Sequence, residues 1–169
     1  MTSSMYSNSV PVFRQFLMAL RAILAQAEAH AAAKSIEADA LLQSRLYPDM
    51  FPLLKQVQVA VDFSCGISAR LAGVEVPSYE GKEKSFADLD ALLARALELL
   101  DRVKSEQFEG SETKEIVLRP ATPKERKLSG QAYLTHYGLP QFFFHVTTAY
   151  DILRHNGLAI GKRDYMGAY

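Results

Sequence analysis

Four segments of this chain repeat apolar residues at intervals of three and four, and that helical period limits the fold more than any other feature. The clearest is "SFADLDALLARALELLDRV", in which Phe86, Leu89, Leu93, Ala96, Leu100 and Val103 share one face. Ser85 is placed to cap it, and Asp88 suits the positive end of a helix dipole. An earlier helix is expected after Ser7, Asn8 and Ser9, with Pro11 in its first turn, where a missing N–H costs nothing. Its stripe is Phe13, Leu17, Leu20, Leu24 and Ala27, widened by Phe16 and Ile23, and it runs to about Ala33. The shorter stretch "SIEADALLQSRLYPD" follows, and its Tyr47–Pro48 step disfavours continuation. The second long helix is expected to begin near Asp49, as N-cap, and to carry Met50, Leu54, Val57, Val61 and Cys65 before stopping at Gly73. The last starts near Gly138 and Pro140 and ends at Asn156 and Gly157.

From Phe108 to Tyr137 the period changes. "KEIVLRP" alternates charged and apolar residues as an exposed strand does, and "GQAYLTHYG" is its expected partner across "ATPKER". The pattern is therefore an all-α four-helix bundle with a small two-stranded β insertion before the last helix. A chain of 169 residues suits a single domain, here 1–169. Lys plus Arg and Asp plus Glu each total 19, so the basic excess of a nucleic-acid-binding protein is missing. The one cysteine, Cys65, forms no internal disulfide and no thiolate metal site. Arg14 and Arg21 interrupt the apolar residues near the amino terminus, unlike a signal peptide, and no run reaches the roughly 20 apolar residues of a membrane span. A soluble cytoplasmic protein without membrane or nucleic-acid partners is expected.

The four histidines are the first candidates for chemistry. His145 and His155 lie about 15 Å apart along a helix at 1.5 Å per residue, too far to share one metal. His155 suits the negative end of its helix, with Asp151 one turn back. His30 sits among alanines and reads as a surface or boundary residue; His136 falls in the segment expected to be strand. His145 has Phe142, Val146, Ala149 and Ile152 around it, and a buried imidazole needs hydrogen-bond partners. Gln58 and Asp62, one turn apart on the second helix, are the expected partners, which makes Gln58, Asp62 and His145 the candidate pocket. Cys65 lies in an apolar stripe and reads as a small hydrophobe. "GLAIGKRD" departs from a phosphate-binding loop in its glycine spacing and in Arg163 after Lys162, so nucleotide binding is rejected. Phe142, Phe143 and Phe144 cover more than half of a helix circumference, so at least one must meet a surface other than the core.

"YLTHYGLPQFFFHVTTAYDILRHNGLAIGKRDYMG", with "RLYPDMFPLLKQVQVAVDFSCGISARLAG", resembles an uncharacterised bacterial domain-of-unknown-function family within the DinB/YfiT-like superfamily of metalloenzyme bundles. The resemblance spans nearly the whole chain and implies a DinB-like four-helix bundle. That superfamily builds its site from a histidine on the second helix and an H-x-x-x-H pair on the last. His145 matches the first histidine of the pair, Ala149 stands at the second, and Asp62 lies where the other histidine is expected. The resemblance thus implies a degenerate metal site, with Asp62 and His145 as the remaining ligands for a divalent ion such as zinc or nickel. It also implies a homodimer through bundle helices. Three functions are open: a small-ligand-binding or non-catalytic bundle, a divalent-metal-dependent hydrolase or thiol transferase, and a dimeric interaction module.

Overall fold

The computed structural model describes residues 5–169. Helix α1, Val10–Lys34, starts at Ser9, whose hydroxyl donates to the Met5 carbonyl, and has Pro11 in its first turn. It buries Phe13, Leu17, Leu20, Ile23 and Ala27. A short α2, Ala38–Leu42, inserts Leu41 and Leu42 into the core. Helix α3, Leu53–Ala72, begins later than expected from Asp49. Asp49 sits instead in a turn closed by Met50 N–H donating to the Tyr47 carbonyl, and Pro52 disfavours helical geometry at Phe51, so helix starts only after Pro52. Met50 therefore drops out of the stripe. Gly73 ends α3 with φ 72°, a left-handed conformation that a Cβ would strain.

Helix α4, Phe86–Arg102, has the strongest sequence signal and a complete capping box. Ser85 Oγ accepts from Asp88 N–H at 3.1 Å, and Asp88 Oδ2 accepts from Ser85 N–H at 3.1 Å and Lys84 N–H at 2.9 Å. Those donors hold the Asp88 carboxyl below the usual carboxylate range. After a 3-10 turn, Ser105–Phe108, strands β1, Glu115–Leu118, and β2, Arg126–Ser129, form an antiparallel pair in the register Ile116 to Leu128 and Leu118 to Arg126.

The partner strand is thus "RKLS", not "GQAYLTHYG". Ser129 Oγ accepts from Ala132 N–H and starts a helical run, comprising α5, Gly130–Ala132, a π-helical stretch, Tyr133–Gly138, and α6, Leu139–His155. Within it Tyr133, Leu134 and Gly138 are buried at helical rather than alternating spacing. The widened π turns absorb Pro140, which has no N–H to donate to the preceding turn. Gly138 allows a close approach: a Cβ there would lie 2.6 Å from Ile67 Cδ1 of α3 and 3.2 Å from the Tyr133 carbonyl oxygen, so Ile67 would have to shift to admit one. Helices α3 and α6 share the largest interface in the molecule, with α1 against α4 next. A final α7, Lys162–Met166, folds back on α1, where Gln15 Nε2 donates to the Met166 carbonyl at 2.7 Å.

The result is a four-helix bundle of α1, α3, α4 and α6 with a two-stranded insertion before the last helix. The three phenylalanines divide as their spacing requires: Phe142 is in the core edge-on to Phe13, Phe143 packs edge-on against Phe16 of α1, and Phe144 is 55% exposed. Among the described residues no helix is long and apolar enough to cross a membrane.

Candidate functional site

Helix α6 places His145 against α3, where it is 7% exposed. Its ring stacks on Phe63 at 5.9 Å with planes 14° apart, and Phe144 meets it edge-on. His145 Nδ1 lies 2.7 Å from Gln56 Oε1. The orientation of that amide follows from its other end, because Gln56 Nε2 donates to the Phe51 carbonyl at 3.0 Å. Oε1 must then accept, so the neutral imidazole carries its proton on Nδ1. No fully buried side-chain nitrogen or oxygen among the described residues lacks a partner, so the unbonded Nε2 keeps some exposed surface. Burial pushes the His145 pKa below the usual histidine value and favours the neutral ring.

The expected partners lie elsewhere. Six residues of helix put Asp62 about 120° around α3 from Gln56. Gln58 Nε2 donates instead to Glu83 Oε2 at 2.7 Å, beneath the loop that precedes α4. Glu83 also faces Arg95 at 3.7 Å. Cys65 is fully buried, and Tyr79 O–H donates to its sulfur at 3.4 Å. Burial raises the pKa of the thiol, with the Tyr79 bond pulling weakly the other way, and burial also raises that of Tyr79. Burial and the raised pKa both favour the protonated form of this thiol.

Asp62 opens onto a cavity of about 310 Å³ between α3, the hairpin and the π-helical stretch. Phe63, Tyr133 and Tyr137 supply aromatic walls, while Arg70 and Arg119 bring positive charge. Arg70 Nη1 is held by the Gly66 carbonyl at 3.0 Å, with the Tyr133 hydroxyl at 3.4 Å. Asp62 is exposed at the cavity mouth, yet the surrounding protein raises its carboxyl pKa, the main cause being lost solvation, against Lys55 and with Glu83. Phe63 joins this cavity to His145, stacked on the imidazole and lining the cavity. The helical face of Gln56 and Phe63, seven residues apart, was the sequence signal for the histidine's true neighbours. Arg119, Tyr133 and Tyr137 carried no such signal, because the expected strand placed the tyrosines in the wrong kind of element.

A metal centre of the kind the resemblance implies does not fit these residues. Ala149, at the second ligand position, is a fully buried core residue with no ligand atom, and Asp62 lies on another side of α3 from the Gln56–His145 pair and faces the cavity, so only Nε2 of His145 is left to offer. Among the described residues no three His, Cys, Asp or Glu side chains converge to hold an ion. His30, His136 and His155 lie at or near the surface.

The family model for a domain of unknown function, DUF1993, matches residues 5–166. The chain belongs to the DUF1993 family. A crystal structure of a DinB family member protein from Shewanella denitrificans superposes with a TM-score of 0.91 at 37% identity, covering 97% of this chain and 92% of that one. The fold of this DUF1993 protein is thus DinB-like, with the β insertion included in the matched length. None of the curated proteins matches the chain.

Proposed function

We propose that this DUF1993 protein is a non-catalytic bundle that binds a small ligand in the cavity beside α3. The observation that carries this reading is the cavity itself: about 310 Å³, with three aromatic walls and the charged side chains of Asp62, Arg70 and Arg119 converging on it. Concave sites with apolar walls and a few directed polar groups are the usual form of small-molecule sites. The catalytic alternatives have less to stand on, since the thiol is buried with its pKa raised and, among the described residues, no other His, Cys, Asp or Glu side chains converge with His145 to hold an ion.

The test is a fragment screen followed by amide chemical shifts, with a metal analysis of untagged protein alongside it. Fragments that shift the amides around Tyr133 and Tyr137, and lose affinity in Tyr137→Ala, support the reading. Stoichiometric zinc or nickel that disappears in His145→Ala would favour the metal-dependent hydrolase or transferase instead. A homodimer that covers Phe144 belongs to the same reading, and sedimentation of the wild type against Phe144→Ser tests it.

A further inference from the structure

A second cavity of about 200 Å³ adjoins the first and shares Leu118, Arg119 and Tyr137 with it, so the two form one cleft running beneath the hairpin. Its added walls are Lys124, Arg126 and Gln141. The strand register explains why the cations collect there. Leu118 pairs with Arg126, and their partners one step along, Ile116 and Leu128, point inward on the same face, so Arg126 ends the inward row. Arg119 follows Leu118 with φ 51°, a left-handed turn uncommon for a residue with a side chain, and lines both halves of the cleft.

The whole cleft therefore brings together Arg70, Arg119, Lys124 and Arg126 against one carboxylate, Asp62, in a chain whose charges balance as a whole. Arg119, Lys124 and Arg126 take part in none of the ion pairs among the described residues. Asp62 lines only the α3 end, so the walls of the hairpin end carry three cations and no carboxylate. Between the two ends stands Tyr137, edge-on to Phe63 and stacked near Tyr133.

Resting on the ligand-binding reading above, we propose that the ligand is an organic oxyanion, a phosphate or carboxylate on a flat apolar body. The oxyanion sits between Arg119, Lys124 and Arg126, and the body lies along Tyr137 and Tyr133 toward Asp62. Arginine forks match such oxyanions in geometry as well as charge, and the aromatic walls supply contact area for a ring.

The probes are phenyl phosphate, benzoate, benzyl alcohol and inorganic phosphate, each titrated into the full-length protein with cleft amide shifts as the readout. Phenyl phosphate is expected to bind at least about tenfold tighter than benzyl alcohol or inorganic phosphate, a difference of about 1.4 kcal/mol. Added salt should weaken it, because the cations are exposed. Arg119→Gln and Arg126→Gln should each lower its affinity severalfold and leave benzyl alcohol unchanged; both side chains are exposed, so the fold is not at stake. Benzoate binding in place of phenyl phosphate would identify the oxyanion as carboxylate, and the proposal would stand. Equal binding of benzyl alcohol and phenyl phosphate in the cleft would overturn the anion proposal while sparing the ligand-binding reading. Inorganic phosphate binding as tightly as phenyl phosphate would overturn the organic part. If no probe shifts any cleft amide, both the proposal and the reading beneath it fail.

Discussion

Replacing Gln56 with leucine removes the acceptor for His145 Nδ1–H and the donor to the Phe51 carbonyl in one step. Gln56 is 1% exposed and His145 7%, so water has little access to the groups left behind. An unsatisfied buried donor costs about 1–3 kcal/mol, and Gln56→Leu is expected to lose stability in that range. His145→Phe keeps a ring against Phe63 and Phe144 but strands the Gln56 oxygen, with a cost of about the same size. In the double variant both halves of the His145–Gln56 pair are gone together, and only the Phe51 carbonyl, whose loss is shared with the Gln56→Leu single variant, is left without its donor. Its cost should fall short of the summed single costs by at least about 1 kcal/mol. Urea unfolding at neutral pH measures all four corners of the cycle, and an unchanged m-value across them confirms that the folded states are comparable. A second readout is the midpoint of thermal unfolding, which for a chain of this size drops by about 2–4 °C per kcal/mol. Costs that add within about 0.5 kcal/mol would mean that His145 and Gln56 do not act as a pair.

Other expectations follow from the same contacts. Burial lowers the His145 pKa from 6.5, so below that value the unfolded ring takes up a proton that the folded ring resists. Stability should therefore be full above pH 6.5 and decline as pH falls toward the folded pKa, and unfolding at about pH 7.5 and about pH 5.5 should show a smaller loss in His145→Phe than in the wild type. Gly138→Ala drives a Cβ to 2.6 Å from Ile67 Cδ1 and should cost about 1–3 kcal/mol, part of it recovered by Ile67→Val, which deletes that atom. Native Cys65 should react very slowly with a thiol reagent and fully once denatured, since it is buried and its pKa is raised.

The helices were legible because each buries one continuous stripe, and burial of a stripe is what a 3.6-residue period records. The Ser85 and Asp88 cap read directly, since both halves of a capping box are local. Two errors have local causes as well. Pro52 delays α3 past Asp49, and Ser129 begins a helix where tyrosines and a histidine imitate strand alternation. The site was harder to read because its parts come from separate elements. His145 was recognisable as buried and in need of a partner, but choosing Gln56 over Asp62 required knowing which face of α3 meets α6. The cationic cleft was out of reach, since it depends on the register that pairs Leu118 with Arg126 and on the backbone turn at Arg119.

The ligand site proposed for this DinB-like bundle lies beneath the hairpin and not at His145. A crystal structure of the protein grown with phenyl phosphate tests it most directly. The phosphate is expected between Arg119 and Arg126, with the ring along Tyr137. Phosphate bound at His145 Nε2, or an otherwise unchanged cleft at saturating phenyl phosphate, would contradict it.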